Sequence, residues 1–285
     1  MSFRKFNLDL KLVLATNEPP PDDIALSLQN IDVEIRFIQY TYNPPEEFGD
    51  KFRACFFIFD VIKHAKDSAL YIDPDVVCVA SLKEFPIMIG NTIGIFELDF
   101  PLLYDINGIS REQANQIWTM FLKPQSLNLK NATMPHIGGE AIFIPSTLSQ
   151  ELAERIEHFW AWNICQAIND SPFLTTEEHI LTQILRTFKT KPINIFLSRI
   201  WTAKTFSAKQ GNSLPLQELL MWHLPSEKSR GFIKIYKDFI GPQKIYRKDR
   251  ENYLRITRKI FHIDFWPYLL FSYIKKFLNR LGDLY

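Results

Sequence analysis

The run Leu70-Tyr71-Ile72-Asp73-Pro74-Asp75-Val76-Val77 constrains this chain more than any other. An apolar strand, with Leu70 and Ile72 facing a core, runs into two carboxylates one residue apart and then returns to apolar sequence. Side chains at i and i+2 of an extended chain point the same way. Asp73 and Asp75 can therefore share one divalent cation through hard oxygen ligands, and Pro74 stiffens the turn between them. The same three residues also suit an ordinary solvated turn, so the surrounding pattern decides between the two.

That pattern is α/β. Residues 11–16 read as a short buried strand, stopped by Asn17 and by Pro19-Pro20-Pro21. Asp22 or Asp23 can cap a helix through Leu28, and residues 33–40 alternate apolar and polar as a strand does. A β-α-β opening is the start of a parallel sheet. Residues 51–66 carry Phe52, Cys55, Phe56, Phe59 and Ile62 at helical spacing. Strands are then predicted at 69–72, 92–96 and 141–144, with an apolar run at 76–80, and helices at 109–121, 148–168 and 177–188. Open sheets of this class bind ligands at the C-terminal ends of their strands.

With 285 residues, 46% of them apolar, the chain can bury a substantial core, which excludes global disorder. Cys55, Cys78 and Cys165 are odd in number, far apart and set in apolar runs; buried reduced thiols and a cytosolic compartment are expected. The apolar run at 10–15 follows Asp9 and is too short for a signal peptide. No stretch reaches the roughly 18 apolar residues that span a bilayer.

Arg53 on its helix, followed by the strand that ends in Asp73-Pro74-Asp75, resembles the DxD block of GT-A glycosyltransferases, and most closely that of glycosyltransferase family 8. The resemblance implies a GT-A (Rossmann-like) mixed sheet flanked by helices and transfer of a sugar from a nucleotide-sugar. It also implies manganese or magnesium on Asp73 and Asp75, with Arg53 near the donor. Three further segments fall in the family's order. Gly138 and Gly139, in His136-Ile137-Gly138-Gly139-Glu140, match a strand entry where small residues leave room for a sugar ring, although a Gly-Gly hairpin turn fits them too. Thr175-Thr176-Glu177-Glu178-His179 resembles the segment beside the donor's reacting carbon, with Glu177 or Glu178 as the carboxylate. A capping box between Thr175 and Glu178 is the competing reading. His223 and Lys228, in Met221-Trp222-His223-Leu224-Pro225-Ser226-Glu227-Lys228, match a third metal ligand and a phosphate-binding lysine. Thr16 and Asn17, at the end of the first strand, correspond to contacts with base and ribose. The likeness extends to a retaining hexosyl transfer from a UDP-sugar.

Residues 241–285 differ from the rest. They hold ten Lys or Arg against four Asp or Glu, a net of +6 in a chain of net +1, which leaves −5 for the first 240 residues. Basic pairs alternate with aromatic residues, and residues 265–281 can form an amphipathic helix. The reading is a transferase domain over 1–240 and a basic aromatic helical tail over 241–285. The tail would sit on the cytoplasmic face of a membrane, near a glycan or glycolipid acceptor. A body this acidic, without a nucleic-acid fold motif, argues against nucleic acid as partner. Two rivals remain. A haloacid-dehalogenase-like phosphatase would use Asp73 as nucleophile, but its motif belongs on the first strand. An inactive transferase fold serving as a binding module is the other.

Overall fold

The computed structural model describes residues 1–123, 135–202, 207–211, 213–229, 231–240, 248–261 and 263. In chain order the elements are α1 (Ser2–Phe6), β1 (Leu12–Thr16), α2 (Asp22–Gln29), β2 (Val33–Phe37), α3 (Phe57–His64), β3 (Ala69–Ile72) and β4 (Val76–Cys78). Then come α4 (Phe85–Ile89), β5 (Ile93–Leu98), β6 (Asp105–Ile106), β7 (Ile109–Ser110), α5 (Arg111–Leu122), β8 (His136–Ile144), α6 (Ser146–Ile168) and α7 (Glu177–Leu185). The last are β9 (Thr190–Pro192), β10 (Leu197–Thr202), β11 (Ser207–Gln210), β12 (Met221–His223), α8 (Gly231–Ile240) and α9 (Arg250–Ile260). The expected class, mixed α/β with sheets flanked by helices, is what the chain adopts.

The chain divides into two compact units. The major unit holds Asp9–Asp73 and Lys83–Asn194; the minor unit holds Met1–Leu8, Pro74–Leu82 and everything from Ile195 onward. In the major unit β1 and β2 pair in parallel, Leu12 opposite Val33 through Thr16 opposite Phe37, as the β-α-β reading requires. A separate four-stranded sheet runs β3-β8-β5-β9, with only the β5–β9 pair parallel. The core beneath it is aromatic: Phe56, Phe59 and Phe159 are fully buried, and Trp160 packs on Phe56 and Phe59. Phe59 comes from α3 and Phe159 and Trp160 from α6, while Phe56 comes from the turn just ahead of α3.

In the minor unit the sheet order is β11-β10-β12-β4. Trp222, Tyr253 and Phe261 are its fully buried large side chains. Helix α9 secures β4 from outside the ladder: Tyr253 donates its hydroxyl to the Cys78 carbonyl at 3.2 Å, and Arg250 Nε donates to the Val79 carbonyl at 3.0 Å. Part of the 241–285 segment is thus packed structure, while residues 265–281 lie outside the described residues. No described helix is long and apolar enough to cross a membrane.

Several local expectations are corrected. Neither Asp22 nor Asp23 caps α2, because Pro21 holds the cap position and fixes the extended backbone before it. The 51–66 helix is a 3-10 turn, Arg53–Phe56, ahead of α3; Phe52 before it is left-handed at φ 71°, which stops an α-helix from starting there. Gly138 and Gly139 lie inside β8 and form no hairpin turn. Cys78 is buried as expected, but Cys55 is half-buried and Cys165 exposed.

Candidate active site

Asp73 and Asp75 do not sit on one extended strand. β3 ends at Ile72, β4 begins at Val76, and the two acids occupy the connection. β3 belongs to the sheet of the major unit and β4 to that of the minor unit. Asp73 closes one unit and Pro74 opens the other, so one proline sets the spacing of the carboxylates. Asp73 is anchored by its amide, which donates to the Glu140 carbonyl at 3.1 Å.

In the minor unit, Val76 is the register partner of His223, and Leu224 N donates to the Asp75 carbonyl at 3.0 Å. That pairing brings His223 Nε2 to 3.3 Å from Asp75 Oδ2. Lys228 Nζ lies 3.2 Å from the same oxygen. Asp75 is only 2% exposed, yet neither of its carboxylate oxygens accepts a well-formed hydrogen bond. Burial opposes its ionisation; His223 and Lys228 outweigh that and hold the carboxyl below the usual range. Asp73, Asp75 and His223 each offer one ligand atom within 4.8 Å of the others. A buried carboxylate that accepts no well-formed hydrogen bond, beside a second acid and an imidazole, is a donor set that suits a divalent cation.

The turn bearing Lys228 is held by a residue the sequence reading passed over. Glu227 is fully buried, accepts from the Thr202 hydroxyl, and accepts from Gly231 N at 3.1 Å. No sequence signal marked it, because its partners lie 25 and 4 residues away.

In the major unit, Glu177 and Glu178 open α7. The competing capping box is not formed: Thr176, not Thr175, is the cap, and its hydroxyl accepts from His179 N. Glu178 is turned instead toward β8. The β5–β8 ladder passes from Ile95 opposite Ile142 to Phe96 opposite Gly138, so Gly139, Glu140 and Ala141 bulge out of it. The bulge takes Gly139 out of that ladder, and its amide donates to Glu178 Oε1 at 2.9 Å. His136 Nε2 lies 3.2 Å from Glu178 Oε2. Thr182 of the same helix accepts from Ile137 N at 3.0 Å and clips α7 to β8.

Glu177 is in a different state. Its Oε2 is buried without a hydrogen-bond partner among the described residues. Burial, then the charges of Glu178 and Asp73, push its carboxyl up to about 8. Gly139 makes the pairing sterically feasible, since a Cβ there would stand 3.2 Å from Glu178 Cγ and 3.4 Å from Glu177 Oε1.

The remaining predicted contacts are engaged locally. The Thr16 hydroxyl donates to the Glu18 carbonyl at 2.5 Å, and Asn17 is exposed. Arg53 donates to the carbonyls of Pro44 and Pro45 and to Asn43 Oδ1, bracing that loop.

No protein-family model and no curated protein matches the chain. Solved structures that match include mouse xyloside xylosyltransferase 1 in its apo form, at 11% identity and a TM-score of 0.41, covering 75% of this chain and 83% of that one. At that TM-score the likeness bears on neither the reaction nor the residues.

Proposed function

We propose that the chain is a metal-dependent glycosyltransferase that moves a sugar from a nucleotide-sugar to an acceptor hydroxyl. One observation carries the reading: Asp73, Asp75 and His223 converge within 4.8 Å around a buried Asp75 whose oxygens accept no well-formed hydrogen bond. These three residues would hold manganese or magnesium. A cation there neutralises negative charge on a departing diphosphate.

The chain's own groups take the other roles. Lys228, with a side chain 66% exposed and beside Asp75, can leave that carboxylate and donate to phosphate oxygens. Glu178 supplies the carboxylate at the reacting carbon, oriented by Gly139 N and His136. Glu177, with its raised pKa, holds a proton at neutral pH. Gly138 and Gly139 do not leave room for a sugar ring, because Glu140 and Phe96 fill the space over the first and the α7 carboxyl side chains that over the second. Donor contacts at Thr16 and Arg53 require their present loop bonds to exchange, whereas Asn17 is already exposed. UDP-hexose is the proposed donor, with retention at the anomeric carbon and a glycan or glycolipid as acceptor. The phosphatase alternative is disfavoured because Asp73 follows the third strand in chain order and not the first.

The test is a thermal-shift panel of UDP- and GDP-sugars with and without manganese. A ligand that binds only the folded chain raises Tm, by about 2.7 kcal/mol of stability at a hundredfold excess over Kd. Asp73→Asn and Asp75→Asn should each abolish the manganese-dependent part. An unchanged shift in both variants would remove the basis for the reading.

A further inference from the structure

β5 leaves its sheet at Leu98, and the chain runs on through Asp99 into Phe100-Pro101-Leu102-Leu103-Tyr104. In this run Leu102 is 46%, Leu103 76% and Tyr104 52% exposed. Single exposed leucines are ordinary, whereas a consecutive apolar run held at the surface marks a functional contact. The run is fixed in one shape. Phe100 N donates to the Leu98 carbonyl at 3.1 Å, Tyr104 N to that of Pro101 at 3.0 Å, and Glu112 N, at the start of α5, to that of Leu102 at 3.1 Å. Arg111 donates to the Phe100 carbonyl. The rings of Phe100 and Tyr104 stack at 5.0 Å, 7° from parallel. A braced loop therefore presents both leucines to solvent.

The loop lies in the major unit beside the α7 carboxylates. The Phe100 ring is 6.1 Å from that of His136, centre to centre, and His136 Nε2 is 3.2 Å from Glu178 Oε2. Two side chains thus separate the run from Glu178. The surrounding charge narrows what can cover it. Asp99 and Asp105 flank the run, Glu112 is bonded to it, and all three are exposed acids. They would repel an anionic bilayer, and in a two-fold contact between copies they would meet their own equivalents. An uncharged apolar group meets neither penalty. Leucine side chains offer it methyl surface without donors or acceptors.

We infer that residues 100–104 form an acceptor ledge, on which an uncharged alkyl or acyl chain carried by the acceptor lies along Leu102 and Leu103 while the sugar end reaches Glu178. The ledge rests on the transferase reading for the role of Glu178 and deepens it: the acceptor class is a glycoside or glycolipid with an apolar aglycone, not a free oligosaccharide. Asp73, Asp75 and His223 take no part in it.

The full-length chain, in EDTA and without donor, is titrated calorimetrically with glucose and with n-butyl, n-hexyl and n-octyl β-glucoside, each below its micelle concentration. Kd should fall about fourfold from butyl to hexyl and again from hexyl to octyl, half the gain per methylene of full burial. The double variant Leu102→Asn, Leu103→Asn should lose this chain-length dependence with Tm nearly unchanged. Leu26→Asn, at an exposed position of α2, should keep it. The inference is overturned if the glucosides bind without chain-length dependence or not at all, or if the double variant retains the dependence. Sedimentation of a dimer that the double variant dissociates would give the ledge to a second copy and overturn it equally. Should the double variant fail to fold, Leu103→Asn alone is titrated, and retention of the full dependence there overturns the inference. With metal and donor both absent, a chain that shows the dependence but no manganese response would fail the metal reading and leave the ledge standing.

Discussion

Gly139 holds Glu178 in place and makes room for it: its amide donates to Oε1 at 2.9 Å, and its missing Cβ leaves both carboxyl side chains of α7 their space. Gly139→Ala should therefore leave the chain folded and displace Glu178. On the transferase reading kcat falls at least about tenfold, or ~1.4 kcal/mol, with Tm nearly unchanged. Gly138→Ala should behave oppositely, since its Cβ would stand 2.1 Å from Glu140 Oε2 and 3.0 Å from Phe96 in the buried ladder, and melting should register it first. Steady-state rates and thermal melts of the two variants separate these effects.

Lys228 and a bound cation would contend for the same Asp75 oxygen, 3.2 Å from Nζ. Lys228→Met should raise manganese affinity a few-fold in the absence of nucleotide, within the about 1 kcal/mol that an exposed lysine's ion pair contributes. The same substitution should weaken UDP binding in the presence of manganese. Calorimetric titration with manganese alone, and then with UDP, reads both signs; a parallel loss in both would contradict the competition.

Glu177 predicts a pH dependence. Its carboxyl is raised from about 4.5 when unfolded to about 8 in the native chain, so the folded state binds its proton more tightly. The stability this contributes is fully present below the unfolded value and is lost as pH rises through the native one. Native stability should decline between roughly pH 4.5 and 8, by up to a few kcal/mol at about 1.4 kcal/mol per unit. Glu177→Gln should flatten that decline in urea melts recorded across the range.

Glu227 is predicted to act through Lys228. Glu227→Ala leaves the Thr202 hydroxyl and Gly231 amide without their buried acceptor, at about 1–3 kcal/mol. UDP affinity should fall along with stability, because the turn ahead of Lys228 loses its anchor. A chain that melts lower yet binds UDP as before would show the turn to be fixed by other contacts.

What could be read from the sequence was local. Strand and helix periodicity located most elements between Leu12 and Leu185 and none of the described ones after it, and the Asp-Pro-Asp signature marked the acidic turn, since both are written over a few consecutive residues. The transfer from one sheet to another at Pro74 was not legible, because period-2 alternation looks the same on either side of it. Nor was the position of Gly138-Gly139 within β8, where a pairing with β5 far away in sequence decides between bulge and turn. Glu177 and Glu178 were found together but not told apart; burial and the Gly139 amide distinguish them, and both are tertiary. His136 and Glu227 stood inside segments that were read, but their contacts with Glu178 and Thr202 were not legible, the partners being brought by packing.

The antiparallel match of Val76 with His223 carries a consequence for how this chain can vary. Ladder side chains alternate between faces, so a slip of one residue would turn the imidazole away from Asp75. Segment length between Pro74 and Cys78, and through Met221–His223, is then as strict a ligand requirement as residue identity. Replacement of either side chain by another oxygen or nitrogen donor keeps this spacing, whereas a single-codon insertion or deletion in either strand would part His223 from Asp75 at a stroke.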